Sequence, residues 1–251
     1  MTTSSNTASQ MWAPLCIPAI RIGLHNCSVI SWIGRSGLGD DWLYAYSAGT
    51  GWELIGKYLE GVNNNAYING LDFNSQGDLI TTWTYRDYVN DTGQNVAVQA
   101  GPNGPENNHD MDFAYSSDLG RTWRNNWGQK VADLSEQSPI IPVSAGITMF
   151  SISKYGGILN QEAQAVDHEG RVHVLNRENT TGVEQWYHYW RSTTSDWTRI
   201  PLPLDLPSIN NITRTPTPTG KRGKLAVARS TLLVLLPSNA PNSSALSILA
   251  S

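Results

Sequence analysis

Between residues 71 and 83 the chain reads Leu-Asp-Phe-Asn-Ser-Gln-Gly-Asp-Leu-Ile-Thr-Thr-Trp, two runs of alternating apolar positions around a turn that closes at Gly77. A period of two is the signature of a strand with one face buried. Asn74 opens the turn, because an Asn or Asp side chain accepts hydrogen bonds from the backbone that follows it. Residues 164–175 repeat the pattern, with Asp167 in the place of Asn74 and Gly170 in the place of Gly77, and 224–236 is a third, more apolar copy. A different hairpin is interleaved with these. Tyr44 and Trp52, Tyr115 and Trp123, and Tyr189 and Trp197 each stand 8 positions apart across a polar turn, and the three Trp are 71 and 74 residues apart. Two hairpins per period predict a four-stranded antiparallel sheet that recurs along the chain. No segment carries a helical period. The predicted class is therefore all-β, and four-stranded antiparallel sheets repeated around an axis are the blades of a β-propeller.

At roughly 70 residues per blade the chain supplies three to four blades, fewer than most propellers contain. The inner hairpin at 224–236 has no outer hairpin after it before Ser251. Unclosed blades leave strand edges open to aggregation, so the expectation is an incomplete gene product rather than a subunit closed by a partner. Residues 1–27 lack the alternation and are expected to be irregular, with a partial propeller over 28–251.

Composition narrows the function classes. The 251 residues carry 17 basic and 21 acidic side chains, and only 15% are charged, against roughly 25% in an average soluble domain. That balance argues against nucleic acid as a partner, since such binders carry a basic stripe. The 10 Trp and 10 Tyr are too many for a disordered chain. No apolar run is long enough to span a bilayer, so no membrane partner is expected. Cys16 and Cys27 are too few for a zinc site or a disulfide framework. Sequons at Asn26, Asn90, Asn179, Asn211 and Asn242 suit a secreted protein, although residues 1–20 carry no secretory signal.

Ser116-Ser-Asp118-Leu-Gly120-Arg-Thr122-Trp123 matches S-x-D-x-G-x-T-W at every fixed position, and the turns ending at Trp52 and Trp197 are degenerate copies. This motif resembles the Asp-box of BNR-repeat propellers, whose role is to shape a turn and seat a Trp between sheets. Longer segments extend the resemblance over about 60–245: Asn69-Gly-Leu-Asp-Phe, Thr84-Tyr-Arg86-Asp87, the run from Gly101 to His109-Asp110, Leu159-Asn-Gln161-Glu162, His173-Val-Leu-Asn-Arg177-Glu178-Asn179, and Trp186-Tyr-His-Tyr-Trp-Arg191. Together they resemble the fungal branch of the family, the L-rhamnose-α-1,4-D-glucuronate lyases, with ulvan lyases and propeller rhamnosidases as more distant kin. The resemblance implies a seven-bladed fold, an extracellular location and an anionic oligo- or polysaccharide as partner, bound by a monomer if the propeller is complete.

Blade topology then sorts the polar residues. Loops before the first strand and between the second and third strands leave at one end, here the upper end; the other two turns, including the Asp-box, lie at the lower end. Asn69 and Gln161 are expected at the start of a first strand, Arg86 and Arg177 at the end of a second, His109, Tyr187 and His188 near the start of a third, and Lys221 and Arg222 in the loop entering the last inner strand. Arg191 closes the same aromatic run. All are expected to converge at the upper end, beside a long Gly/Pro/Asn loop at 87–108. Each has a plainer alternative. His109 is also placed to cap a loop. Arg86 with Asp87, and Arg177 with Glu178, are possible ion pairs of the fold. One of Tyr187 and His188 must face the sheet interior, and Lys221 with Arg222 forms a solvated cluster. His173 is expected to be packed and His168 solvated.

Cations and imidazoles with few free carboxylates suit a uronate. Elimination at such a sugar requires neutralising its carboxylate, removing the C5 proton and protonating the leaving oxygen. Arg binds carboxylates with a planar fork, and His and Tyr are the acid–base candidates. On this reading His109, Tyr187 and His188 are catalytic, while Asn69, Arg86, Gln161, Arg177, Arg191, Lys221 and Arg222 bind substrate. The alternatives are a glycoside hydrolase using Glu162 and Asp110, and a carbohydrate-binding or inactive truncated propeller. No cofactor motif is present, no metal ligand set is assigned, and a funnel calcium is left open.

Overall fold

The computed structural model describes residues 19–22, 28–33, 39–61, 64–87, 107–159, 161–182, 184–202, 222–237 and 246–250. Among them the strands form four antiparallel sheets in chain order. The first holds β1 (Ala19–Ile22), β2 (Ser28–Ile33), β3 (Asp41–Ser47) and β4 (Gly51–Leu59). The second is built on β5 (Asn64–Phe73), β6 (Leu79–Asp87), β7 (Asn108–Ser116) and β8 (Thr122–Arg124), extended by β9 (Lys130–Asp133) and β10 (Thr148–Phe150). The third holds β11 (Ala163–Val166), β12 (Val172–Glu178), β13 (Gln185–Arg191) and β14 (Trp197–Pro201), and the fourth β15 (Lys224–Ala228), β16 (Thr231–Pro237) and β17 (Leu246–Ala250). The paired strand β1 lies inside the segment expected to be irregular. Lys221, the loop residues 88–106, both cysteines and the sequons at Asn26, Asn90, Asn211 and Asn242 lie outside the described residues.

The sheets stack as blades, with one apolar cluster between each successive pair. Leu43, Tyr58 and Leu59 of the first meet Leu71, Trp83, Tyr85 and Trp123 of the second. Met111 and Phe113 of the second meet Val172, Val174, Tyr187 and Tyr189 of the third. Leu175 and Trp186 of the third meet Leu232, Val234 and Leu236 of the fourth. Strand β12 is buried along its whole length because both its faces are covered, whereas β16 is buried only at alternate positions. The period-two pattern of the sequence thus survives where a blade has one deeply packed face and vanishes where it has two.

The first two inner hairpins turn as their sequences predict. Asn74 Oδ1 accepts from the Gln76 and Asp78 amides, and Asp167 Oδ1 accepts from those of Glu169 and Arg171. Gly77 and Gly170 take φ of 90° and 86°, a region open to glycine without steric cost.

The Asp-box is a hydrogen-bonded knot. Asp118 Oδ1 accepts from Ser116 Oγ at 2.7 Å and the Thr122 amide at 2.8 Å, while Oδ2 accepts from Thr122 Oγ1 at 2.7 Å. Trp123 donates through Nε1 to the Gly120 carbonyl at 3.0 Å and stacks on Tyr58 with 5.0 Å between ring centres. Burial pushes the Asp118 carboxyl up, but the donations from Thr122, Ser116 and Arg121 outweigh it and hold it below the usual value. A depressed carboxyl stabilises the fold above its unfolded pKa and loses that contribution as pH falls through the folded one. Asp118→Ala is therefore expected to cost about 2 kcal/mol at neutral pH, read as a lower urea midpoint, and less under acid. An unchanged midpoint at pH 7 refutes this role for the knot.

One feature departs from the repeat. After β8 the chain adds β9 to the outer edge of the second sheet, leaves it at a 3-10 turn over Leu134–Glu136, then returns as β10 to pair Thr148 with Asp112 of β7. The fourth-strand position is filled by two separate pieces. Between them Ile140 bridges the first blade: its amide donates to the Tyr58 carbonyl at 2.9 Å, and its carbonyl accepts from the Glu60 amide at 2.8 Å. Asn125 opens the β8–β9 turn with its side chain accepting from the Trp127 and Gln129 amides, and Gly128 has φ 79°.

Candidate functional site

At the upper end of the second blade, β6 ends and β7 begins side by side, with Tyr85 opposite His109 and Arg86 opposite Asn108. Farther down, Trp83 pairs with Asp112, so β7 carries an extra residue there, and Asp110 has φ 57°. The bulge puts His109 and Asp112 on the same face as Tyr85 and Trp83. His109 stacks against Tyr85 at 6.2 Å between ring centres. Its Nδ1 lies 3.0 Å from Asp110 Oδ2, and its Nε2 lies 3.1 Å from Asn64 Oδ1 and 3.2 Å from Asp87 Oδ1. Burial pulls its pKa down, but Asp110, with the charges of Asp87 and Asp112, overcomes that and raises it. The ring keeps 21% exposure and is held as an imidazolium farther into the neutral range than a free histidine.

Arg86 does not pair with Asp87, because adjacent strand residues point to opposite faces. Asp87 pairs with His109 and Lys154. Arg86 donates from Nε to Asn108 Oδ1 at 2.7 Å, and its guanidinium sits 4.8 Å above the Tyr67 ring. Asp112 lies beneath this edge, fully buried, with Oδ1 unmatched by any donor among the described residues. Burial raises its pKa to about 7 despite a hydrogen bond from Thr148. Nothing in the alternation of β7 marks Asp112 as unusual; only the bulge reveals which way it faces.

The expected convergence on one rim is corrected at five positions. Arg177 is 1% exposed and bound to Glu162, itself 0% exposed, at 2.9 Å, so it is the centre of a buried ion pair rather than a uronate clamp. Glu178, on the opposite face, pairs with Arg199. Asn69 is not at the start of a strand but sits in the β-bulge inside β5, where its Oδ1 faces the Glu162 amide at 3.4 Å. Tyr187 is 3% exposed in the cluster between the second and third blades, its hydroxyl accepting from Gln185. Arg191 lies at the lower end, donating to Asn126 and Ser195 and packed over Phe113 at 5.0 Å. His188 faces the fourth blade and meets His173 at 3.0 Å, in a cavity at the lower end. Gln161 and Arg222 do meet at the upper end, where the Gln161 carbonyl accepts from Arg222 at 2.8 Å. Glu162 and Asp110 stand on different blades, each already bonded. Among the described residues no cluster of three or more His, Cys, Asp or Glu is arranged to hold a metal ion.

A family model described as BNR repeat-containing family member matches residues 30–203. No curated protein matches the chain in sequence. Among solved structures, an ulvan lyase bound to -[GlcA(1-4)Rha3S]- superposes with a TM-score of 0.65 at 16% identity, covering 93% of this chain and 52% of that one. A second polysaccharide lyase gives a TM-score of 0.51 at 14% identity over 93% and 57% of the two chains. A protein of unknown function from Dyadobacter fermentans gives 0.52 at 11% identity over 93% and 64%. The chain thus spans about half the length of the ulvan lyase it superposes on.

Proposed function

The chain belongs to the BNR repeat-containing family, and from that premise we propose that its upper edge acts on an acidic saccharide, cleaving a rhamnose–glucuronate linkage by β-elimination. The observation that carries the reading is His109, a partly exposed imidazole held by two carboxylates at the strand end that also carries Arg86. Elimination breaks the C5–H and C4–O4 bonds and forms a C4–C5 double bond. The C5 proton is assigned to the partly exposed Asp87 carboxylate beside His109, and the charge that builds on O4 takes a proton from the His109 imidazolium, which leaves the reaction as neutral imidazole. Arg86 is fixed in direction by Asn108 and Tyr67, and it is the cation assigned to the uronate carboxylate. Likeness in fold to polysaccharide lyases supports the saccharide class, and an extracellular location accords with such a substrate. The roles belong to side chains alone in this scheme, without a cofactor.

His109→Ala is expected to lower turnover about 10²-fold on a rhamnosyl-glucuronate-capped oligosaccharide, followed by the ultraviolet absorbance of the unsaturated uronate. Arg86→Ala is expected to raise KM. Unchanged turnover in His109→Ala removes the assignment. Release of rhamnose without new absorbance replaces elimination with hydrolysis, and binding without release leaves a carbohydrate-binding propeller.

A further inference from the structure

Away from that edge, the lower turns of the third and fourth blades enclose a cavity of about 710 Å³. Trp190, Val227 and Leu232 give it an apolar wall, and Asp167, His173 and His188 run along one side. Asp167 Oδ2 is 3.2 Å from His173 Nε2, and His173 Nδ1 is 3.0 Å from His188 Nε2. The protons in this row follow from the chemistry of its ends. A carboxylate only accepts, so His173 Nε2 carries a hydrogen and Nδ1 of the neutral ring is an acceptor. His188 must then donate from Nε2. Its Nδ1 is left as a lone pair with no protein partner among the described residues. Burial, with the neighbouring His173, pushes His188 down to about 4, and burial also lowers His173. The row therefore presents a neutral acceptor of fixed tautomer at neutral pH.

The charges around it are unevenly matched. Arg171 is bound to Asp167 and to Glu169. Arg229, held at φ 56° in the β15–β16 turn, lines the cavity and makes no ion pair among the described residues. A small inorganic anion needs donors, but the histidine row offers an acceptor. A hydroxylated ring satisfies both walls: its face on the indole, a hydroxyl on the imidazole.

We propose that this cavity is a second ligand site, taking one acidic sugar unit with its ring against Trp190, a hydroxyl donating to His188 Nδ1 and its carboxylate toward Arg229. The site is separate from the upper edge and does not depend on elimination there. Calorimetric titration of the full chain with a glucuronate-terminated tetrasaccharide, and with its glucose-terminated counterpart, tests it. Ser230 is exposed at the rim, so Ser230→Trp fills the mouth without touching the core. Ser230→Trp and Trp190→Ala are expected to weaken binding at least about tenfold, and Arg229→Gln to weaken the glucuronate probe but not the neutral one. His109→Ala is expected to keep this binding. Long-range ¹H–¹⁵N imidazole spectra are expected to show His188 as the Nε2–H tautomer, with Nδ1 shifting on addition of the acidic probe. Binding lost in His109→Ala yet intact in Ser230→Trp, or a His188 signal unmoved by excess probe, overturns the proposal.

Discussion

Glu162→Ala is expected to destabilise the chain by about 3–5 kcal/mol, the usual cost of removing one partner of a buried ion pair. Arg177 is 1% exposed, with the Glu184 carboxylate at 3.8 Å and the Trp186 ring at 5.1 Å also beside its guanidinium. Glu162 also ties the fourth blade to the third, since its Oε2 accepts from the Gly223 amide at 3.2 Å and its carbonyl faces Lys224 Nζ. Replacing both charges is expected to cost much less. In Glu162→Leu with Arg177→Met the seam gains apolar contact with Leu175 and Trp186 and both buried charges are removed together. Urea melts of the two single variants and the double variant form the test. If Glu162→Ala leaves the midpoint within error of the parent, the pair contributes nothing and the seam is held by its apolar cluster.

Asp112→Asn is expected to do the opposite, and only above a certain pH. A carboxyl raised from 3.8 to about 7 on folding binds its proton more tightly in the native state. Its effect is absent below pH 3.8 and becomes a growing penalty as pH rises toward 7, because the native state must then either stay protonated or bury a charge. The full penalty is about 4 kcal/mol at pH 8, an upper value for a group that keeps its Thr148 bond. Asn retains an acceptor for Thr148 and carries no charge. Thermal melts of Asp112→Asn are expected to match the parent near pH 4 and to lie well above it at pH 8. Equal melting at both values shows that Asp112 ionises without cost.

The fold was largely legible because it is written in short-range chemistry. The Asn74, Asp167 and Asp118 turns each bond a turn-opening side chain to an amide four positions on, and the Tyr and Trp frames span only 8 positions. The same reasoning misses the excursion after β8, although Asn125-Asn-Trp-Gly128 has the spacing of Asn74 to Gly77. No tyrosine frame follows it, so nothing local says that a second piece, β10, completes the strand. The candidate site was less legible for a different reason. Alternation along Trp186-Tyr187-His188 separates Tyr187 from His188 but not which face meets which neighbouring blade, and that is what sends one into the core and the other to the lower cavity. Arg177 and Glu178 were open to the same logic: neighbours on a strand cannot pair across it, so each needed a partner from elsewhere. Those partners, Glu162 and Arg199, are set by register alone. His109 and Arg86 share one end of the blade because the strands on either side of a long connection are paired, which the blade pattern itself supplies.

The Ile140 bridge has a consequence for how the molecule comes apart. By lending a backbone hydrogen bond each way to Tyr58 and Glu60, a segment of the second blade occupies part of the first blade's outer border. Opening the first blade there exposes amides of the second at the same moment, so the two behave as one cooperative foldon rather than as independent repeats. No such strap joins the third and fourth blades among the described residues, where the seam is carried by side chains. Stability is thus partitioned unevenly along the arc, with the half bearing His109 fastened by main-chain bonds and the half bearing the histidine row freer to breathe.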